Sequence, residues 1–181
     1  MSSSSSASIL SIIPSVLLLI SLSKSVVSSS LIDTACSEAG FTNKSDLRSC
    51  IEMLGSDRKA ASAKNFRDLS VAIVEAGIAH AAKTRAYLIT KRGTDSSGAY
   101  EKCKDSYDMV VNGFTDVVRE LEHDADGASY LVKVVASDDI RPCVAAVKSA
   151  KVRDERVLHA NRDVVIYGIS AFAAIEKIRA N

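Results

Sequence analysis

Residues 100–121 read YEKCKDSYDMVVNGFTDVVREL. Within them Tyr100, Cys103, Tyr107, Val110, Phe114, Val117 and Leu121 recur at intervals of three, four, three, four, three and four residues. That alternation is the heptad signature of a helix that buries one seam. The regularity of the stripe predicts a helical bundle, and the cysteine among its apolar members needs a separate reason.

The flanking sequence supplies partners of similar length. From about Asp57 or Ser62 to Lys91 a long alanine-rich helix is expected, its seam begun by Phe66, Leu69, Ile73 and Ala76 and continued loosely by Ala79, Ala82 and Leu88. Gly93 and the segment TDSSG end it. The Tyr100 stretch then extends to about Glu122. HDADG, residues 123–127, reads as a turn in which Asp124 or Asp126 caps the next helix. That third helix, ASYLVKVVASDDIRPCVAAVKSA, turns Ala128, Leu131 and Val135 inward. Pro142 removes a backbone donor and disfavours helical geometry at Arg141, so a break is expected between Ser137 and Cys143. A final helix runs from about Glu155 to Ala180, with Val157, Val164, Gly168, Ala171, Ile175 and Ile178 along its inner seam. There is no convincing alternating strand pattern. The fold class is all-α, an antiparallel up-down-up-down four-helix bundle over residues 57–181.

Ahead of the bundle, residues 31–56 read as a short helical hairpin. One arm includes LIDTACSEAG and the other SDLRSCIEML, with Gly40 as a stop and Ser45 or Asp46 as a cap. Asn43-Lys44-Ser45 fits the N-glycosylation sequon, making Asn43 a candidate acceptor.

Residues 1–30 contain no acidic residue and one base, Lys24, around the apolar run ILSIIPSVLLLISL. The run has the length of a secretory h-region and small residues follow it, so this segment is expected to be a signal peptide that is removed. The remaining chain carries 22 basic and 22 acidic residues, because Lys24 is the only charge lost from 23 and 22. A balance of this kind gives no reason to invoke nucleic acid or a membrane surface. The expected destination is extracellular, in the apoplast or cell wall, with the vacuole as an alternative.

All four cysteines, Cys36, Cys50, Cys103 and Cys143, follow the leader. An even count in an exported chain reads as two disulfides with three possible connectivities. Spacings of 14, 53 and 40 residues include no Cys-x-x-Cys, and His80, His123 and His159 stand at no metal-ligand spacing, so no metal is expected. Cys36 and Cys50 lie on opposite arms of the hairpin. Cys103 and Cys143 lie near the start of one helix and the end of its antiparallel neighbour; the midpoint of their numbers is 123, and HDADG centres on 125. The midpoint and the turn centre agree to about half a helical turn, so pairing 36 with 50 and 103 with 143 is expected. The cysteine in the stripe is then a clamp at the open end of a hairpin.

Catalytic machinery is hard to find. His123 and Asp124 are sequence neighbours and so face different directions, His80 reads as a boundary residue, and His159 is flanked by polar groups. No G-x-S-x-G, H-E-x-x-H or phosphate-cradling glycine loop occurs. Asp138 and Asp139 read as capping material near the helix break. The expectation is a non-enzymatic binding protein without a cofactor.

The order of an exported chain, a cysteine-paired hairpin, a long helix and cysteines forty residues apart resembles the plant invertase and pectin methylesterase inhibitor family. The resemblance rests most on CSEAGFTNKSDLRSCIEML, YEKCKDSYDMVVNGFTDVVREL and DGASYLVKVVASDDIRPC, and covers Ile32 to Ile178. It implies a bundle with an N-terminal hairpin extension, two consecutive disulfides, and stoichiometric blockade of a plant carbohydrate-active enzyme. Invertase-type members can present Pro-Lys-Phe between the second and third bundle helices, where this chain has Asp126, Gly127 and Ala128. Pectin methylesterase inhibitors often have Thr before the fourth cysteine, where this chain has Pro142. The DGASYLVKVVAS run resembles the pectin methylesterase branch more, so that target is favoured, with cell-wall or vacuolar acid invertase as the alternative. Two readings outside inhibition are a structural or signalling bundle, and a hydrolase or ligand carrier with a dispersed site. The residues assigned to the target interface are Asp116, Arg119, Glu120, Asp124, Asp126, Ser129, Tyr130 and Lys133, with Tyr130 as anchor. Dimerisation through the hairpin is a further possibility of the same reading.

Overall fold

A computed structural model describes residues 30–94 and 96–180. Residues 1–29 of the expected leader lie outside the described residues. Helix α1 covers residues 30–38 and α2 covers Lys44–Ser56. After a 3₁₀ turn at Ala60–Ser62 come α3, Phe66–Lys91, and α4, Ala99–Leu121. The third bundle helix is α5, Ala125–Val134, one π-helical turn, Val135–Asp139, and α6, Arg141–Ser149; α7, Glu155–Arg179, closes the bundle. Among the described residues there is no strand.

The four rods pack in a ring: α3 against α4, α4 against α5 and α6, α5 against α7, and α7 back against α3. The α4 stripe forms its centre. Cys103, Tyr107, Val110, Phe114, Val117 and Leu121 are all buried, and Tyr100 packs against the core from a partly buried position. In α3 the expected seam needs correction. Leu69, Ile73 and Leu88 are buried, but Ala79 and Ala82 are exposed, and Gly77, Ala81 and Thr84 occupy the inner face instead. A helix touching α4 on one side and α7 on another has no single apolar stripe to read. Leu131 is likewise only partly buried, with Val132 taking the inner place.

Caps fix the element ends. Asn43, rather than Ser45 or Asp46, starts α2: its side-chain oxygen accepts from the Asp46 N–H at 2.8 Å. Asn65 starts α3 in the same way, several residues later than Asp57 or Ser62, because residues 57–63 form the 3₁₀ turn and its flanks. Gly40 adopts φ 72°, the left-handed conformation that lets the chain reverse between α1 and α2.

The helix break falls at Val135–Asp139, slightly ahead of the expected position, with Pro142 in the first turn of α6. Proline cannot donate to the carbonyl four residues earlier, and its ring crowds it, so the ladder loosens in the turn that precedes it. The wider turn brings α7 very close: a Cβ on Gly168 would lie 2.5 Å from Cβ of Ala136 and 3.2 Å from its Cα. Glycine is required there by proximity.

Two disulfides, Cys36–Cys50 and Cys103–Cys143, have the expected pairing. By chain entropy they are worth about 3 and about 4 kcal/mol, from separations of 14 and 40 residues. The hairpin is further moored to α7. Arg162 pairs with Asp46 and donates to Ser45 and Ser49 hydroxyls at 3.1 and 3.2 Å, and Lys177 pairs with Glu38 at 2.6 Å.

Candidate functional site

The turn joining α4 to α5 is built by local hydrogen bonds. The Asp124 N–H reaches the Glu120 carbonyl at 2.8 Å, and the Asp124 carboxylate accepts from the Asp126 N–H at 2.8 Å, starting α5. The side chain of Glu120 lies over Gly127, where an added Cβ would come within 2.8 Å of Oε1. Asp116 and Arg119 pair at 2.7 Å one turn back on α4.

Three contacts lock α5 onto α7. Asp126 pairs with Arg179, the Ser129 hydroxyl donates to Glu176 Oε1 at 2.7 Å, and the Lys133 ammonium sits 4.1 Å above the Phe172 ring. The Ser129 hydrogen bond holds the Glu176 carboxyl below its ordinary range, with Arg179 and Lys133 adding to the effect against a smaller burial penalty. Tyr130 is left outward on this braced helix, 69% exposed.

These positions divide the residues assigned from sequence. Tyr130, Arg119, Asp124, Asp126 and Lys133 are exposed, and Asp116 and Glu120 are partly so. Ser129 is a correction: it is 3% exposed and engaged with Glu176, so it braces the helix from inside and offers no surface to a partner.

The histidines do not assemble a reaction centre. His123 is exposed beside Glu122 at 3.8 Å, and His159 is exposed beside Glu155 at 3.6 Å. His80 is only partly buried, yet its Nε2 is shielded without a hydrogen-bond partner, 3.9 Å from Asp163 Oδ2. Burial lowers the His80 pKa against the pull of Asp163, and burial raises that of Asp163 against the pull of His80. Sequence reasoning missed this pair because 83 residues and a whole bundle turn separate its members, and no local pattern marks it. The buried Tyr107 hydroxyl donates to Asn161 Oδ1 at 3.1 Å, a core hydrogen bond spanning α4 and α7. Among the described residues, no group of three or more His, Cys, Asp or Glu side chains is placed to hold a metal ion, and no helix is long and apolar enough to cross a membrane.

The bundle is covalently stapled and presents an outward tyrosine on a short, braced helix. The family described as plant invertase/pectin methylesterase inhibitor matches residues 30–166, and the chain belongs to it. Among solved structures it is similar to the crystal structure of mutant form A of a pectin methylesterase inhibitor from Arabidopsis. The TM-score is 0.68 and the identity 20%, over 80% of this chain and 95% of that one. No curated protein matches it significantly.

Proposed function

We propose that this chain is a secreted, non-catalytic inhibitor that docks on a pectin methylesterase and covers its substrate groove. Family membership supplies the class of activity, inhibition of plant invertases or pectin methylesterases. The observation that carries the choice of surface is Tyr130, the most exposed of the large apolar side chains, held on a helix fixed by Asp126–Arg179, Ser129–Glu176 and Lys133–Phe172. An aromatic ring with two rotatable bonds, on a helix fixed before binding, loses little entropy on contact and removes a large area from water. Arg119, Asp124, Asp126 and Lys133 form a charged rim, with Asp116 and Glu120 partly exposed beside it; such rims steer encounter and set register more than they set affinity. Blockade is steric, and no bond in the enzyme or the inhibitor changes.

The choice of pectin methylesterase over acid invertase rests on the tip between α4 and α5. Asp126, Gly127 and Ala128 offer no lysine and no aromatic ring to enter an acidic cleft, and a pectin methylesterase inhibitor from Arabidopsis is among the solved structures that share the fold. Asn43 remains a candidate glycosylation site: it is exposed, and a sugar on its side-chain nitrogen would displace the contact that nitrogen makes with Asp46.

Parallel inhibition assays against one pectin methylesterase and one acid invertase, from about pH 4 to about pH 7, test the reading. Stoichiometric loss of esterase activity with invertase untouched is the expected result. Inhibition of invertase alone would transfer the target, and inhibition of neither would sink the proposal.

A further inference from the structure

The end of the bundle where α6 turns into α7 has a character that the inhibitory surface does not use. Residues 148–162, KSAKVRDERVLHANR, bring Lys148, Lys151, Arg153, Arg156, His159 and Arg162 together with two acids, Asp154 and Glu155. Both acids are engaged. Asp154 accepts the Tyr87 and Tyr100 hydroxyls at 2.7 and 3.2 Å and caps α7, while Glu155 lies against His159. Lys148, Lys151 and Arg153 are exposed and make no ion pair among the described residues. Arg156 lies over the Tyr87 ring at 4.0 Å, with Lys91 at 5.4 Å from the same ring.

Lys148, Lys151, Arg153 and Arg162 border a groove of about 590 Å³ between α6 and α7. Its floor is aliphatic, from Val144, Val147, Val152 and Leu158, and its rim carries Lys148, Lys151, Arg153 and Arg162. Val144 and Leu158 are 42% and 38% exposed, so the floor is open to a ligand. The turn also keeps a lysine where the backbone favours glycine. Lys151 has φ 53°, the sole non-glycine residue with positive φ among the described residues.

We infer that this groove binds an extended acidic polysaccharide, a polyuronate, lying across the Lys148–Lys151–Arg153 rim with its sugar C–H faces on the valine and leucine floor. Four cations, Lys148, Lys151, Arg153 and Arg162, line one open groove with an aliphatic floor, a combination that suits a sugar polymer with one carboxylate per residue. The N-terminus of α7 offers no anion hole, because Asp154 already accepts from the Arg156 and Val157 N–H groups. The polymer class rests on the pectin methylesterase reading. Hydrolysis of each methyl ester consumes one water, releases one methanol and one proton and leaves a carboxylate on the sugar, so the polymer gains negative charge as the enzyme works. A surface that holds the acidic product would retain the inhibitor where de-esterification has gone furthest.

Co-sedimentation of the purified protein with polygalacturonate and with fully methyl-esterified pectin tests this at low and at physiological salt. Retention on polygalacturonate alone, weakened by salt, is expected. The Lys148→Glu/Lys151→Glu/Arg153→Glu variant should lose at least about tenfold in retention. Lys151→Gly should also bind less while folding no worse, since glycine relieves the positive φ; this separates loss of the site from loss of the fold. Equal retention on both polymers, no retention, undiminished binding by the triple variant, or equally tight binding of polyglutamate would each overturn the inference. Complex formation with a pectin methylesterase, measured without polymer, should be unchanged in the triple variant. Failure of the wild-type protein in that assay would count against the inhibitory reading and not against polymer binding.

Discussion

Tyr130 and His80 show how two aromatic side chains on one bundle come to opposite uses. Tyr130 is presented to solvent by a helix whose own contacts run elsewhere, so Tyr130→Ala removes contact area without disturbing Asp126–Arg179 or Ser129–Glu176. Inhibition should weaken at least about tenfold, about 1.4 kcal/mol or more, with the melting temperature nearly unchanged. An inhibition constant within about twofold of wild type would show that the anchor lies elsewhere. His80 is held inward, where burial keeps its pKa below the ordinary 6.5. As pH falls through 6.5 the unfolded chain therefore takes up this proton first, and acidification draws the protein towards unfolding. Asp163 acts in the opposite sense. Its folded pKa lies above 3.8, so the folded state binds that proton first and recovers part of the loss nearer that pH. Thermal melts of His80→Gln should accordingly change less between about pH 7 and about pH 5 than those of wild type. A steeper dependence in the variant would show that His80 is charged in the fold.

At the scale of elements, the decisive feature is the π-helical turn in the third rod. It absorbs the disruption from Pro142 and lets α7 approach until Gly168 meets Ala136. Gly168→Ala should lower stability by about 1–3 kcal/mol, since the nearest obstacles include backbone and cannot swing away; calorimetry would check it, and an unchanged melting temperature would mean the rods can part. The two helices differ in how far their sequences betray this packing. The α4 stripe was legible because α4 turns one well-defined edge to the core. The α3 seam was legible at Phe66, Leu69, Ile73 and Leu88 but not at Ala79 and Ala82, because alanines face both the core and solvent. The residues proposed for the interface could be placed on helices from sequence, but the inward turn of Ser129 depends on Glu176, 47 residues away. The basic edge at α6–α7 was equally hidden in a near-neutral total: charge balance over a whole chain says nothing about how the fold sorts it.

Over the whole molecule, covalent and noncovalent ties share the work of alignment. The α4–α5 end is closed by the chain itself and by the α5–α7 contacts, whereas at the opposite end Asp154 gathers α3, α4 and α7 through Tyr87 and Tyr100, and Cys103–Cys143 ties α6 to α4. Cys143 Sγ lies 3.3 Å from Asn161 Oδ1, the atom that accepts from Tyr107, and Asn161 also lines the groove formed by α6 and α7. Replacing both cysteines by alanine should therefore cost up to about 4 kcal/mol, and the loss should not be uniform. Hydrogen exchange should accelerate first in α6 and the adjoining start of α7, while α5, braced by Arg179, Glu176 and Phe172, stays protected for longer. Esterase inhibition through Tyr130 would then outlast polysaccharide retention as the variant is warmed. Simultaneous loss of both would mean that the bundle unfolds as one unit and that its two ends cannot be loosened separately.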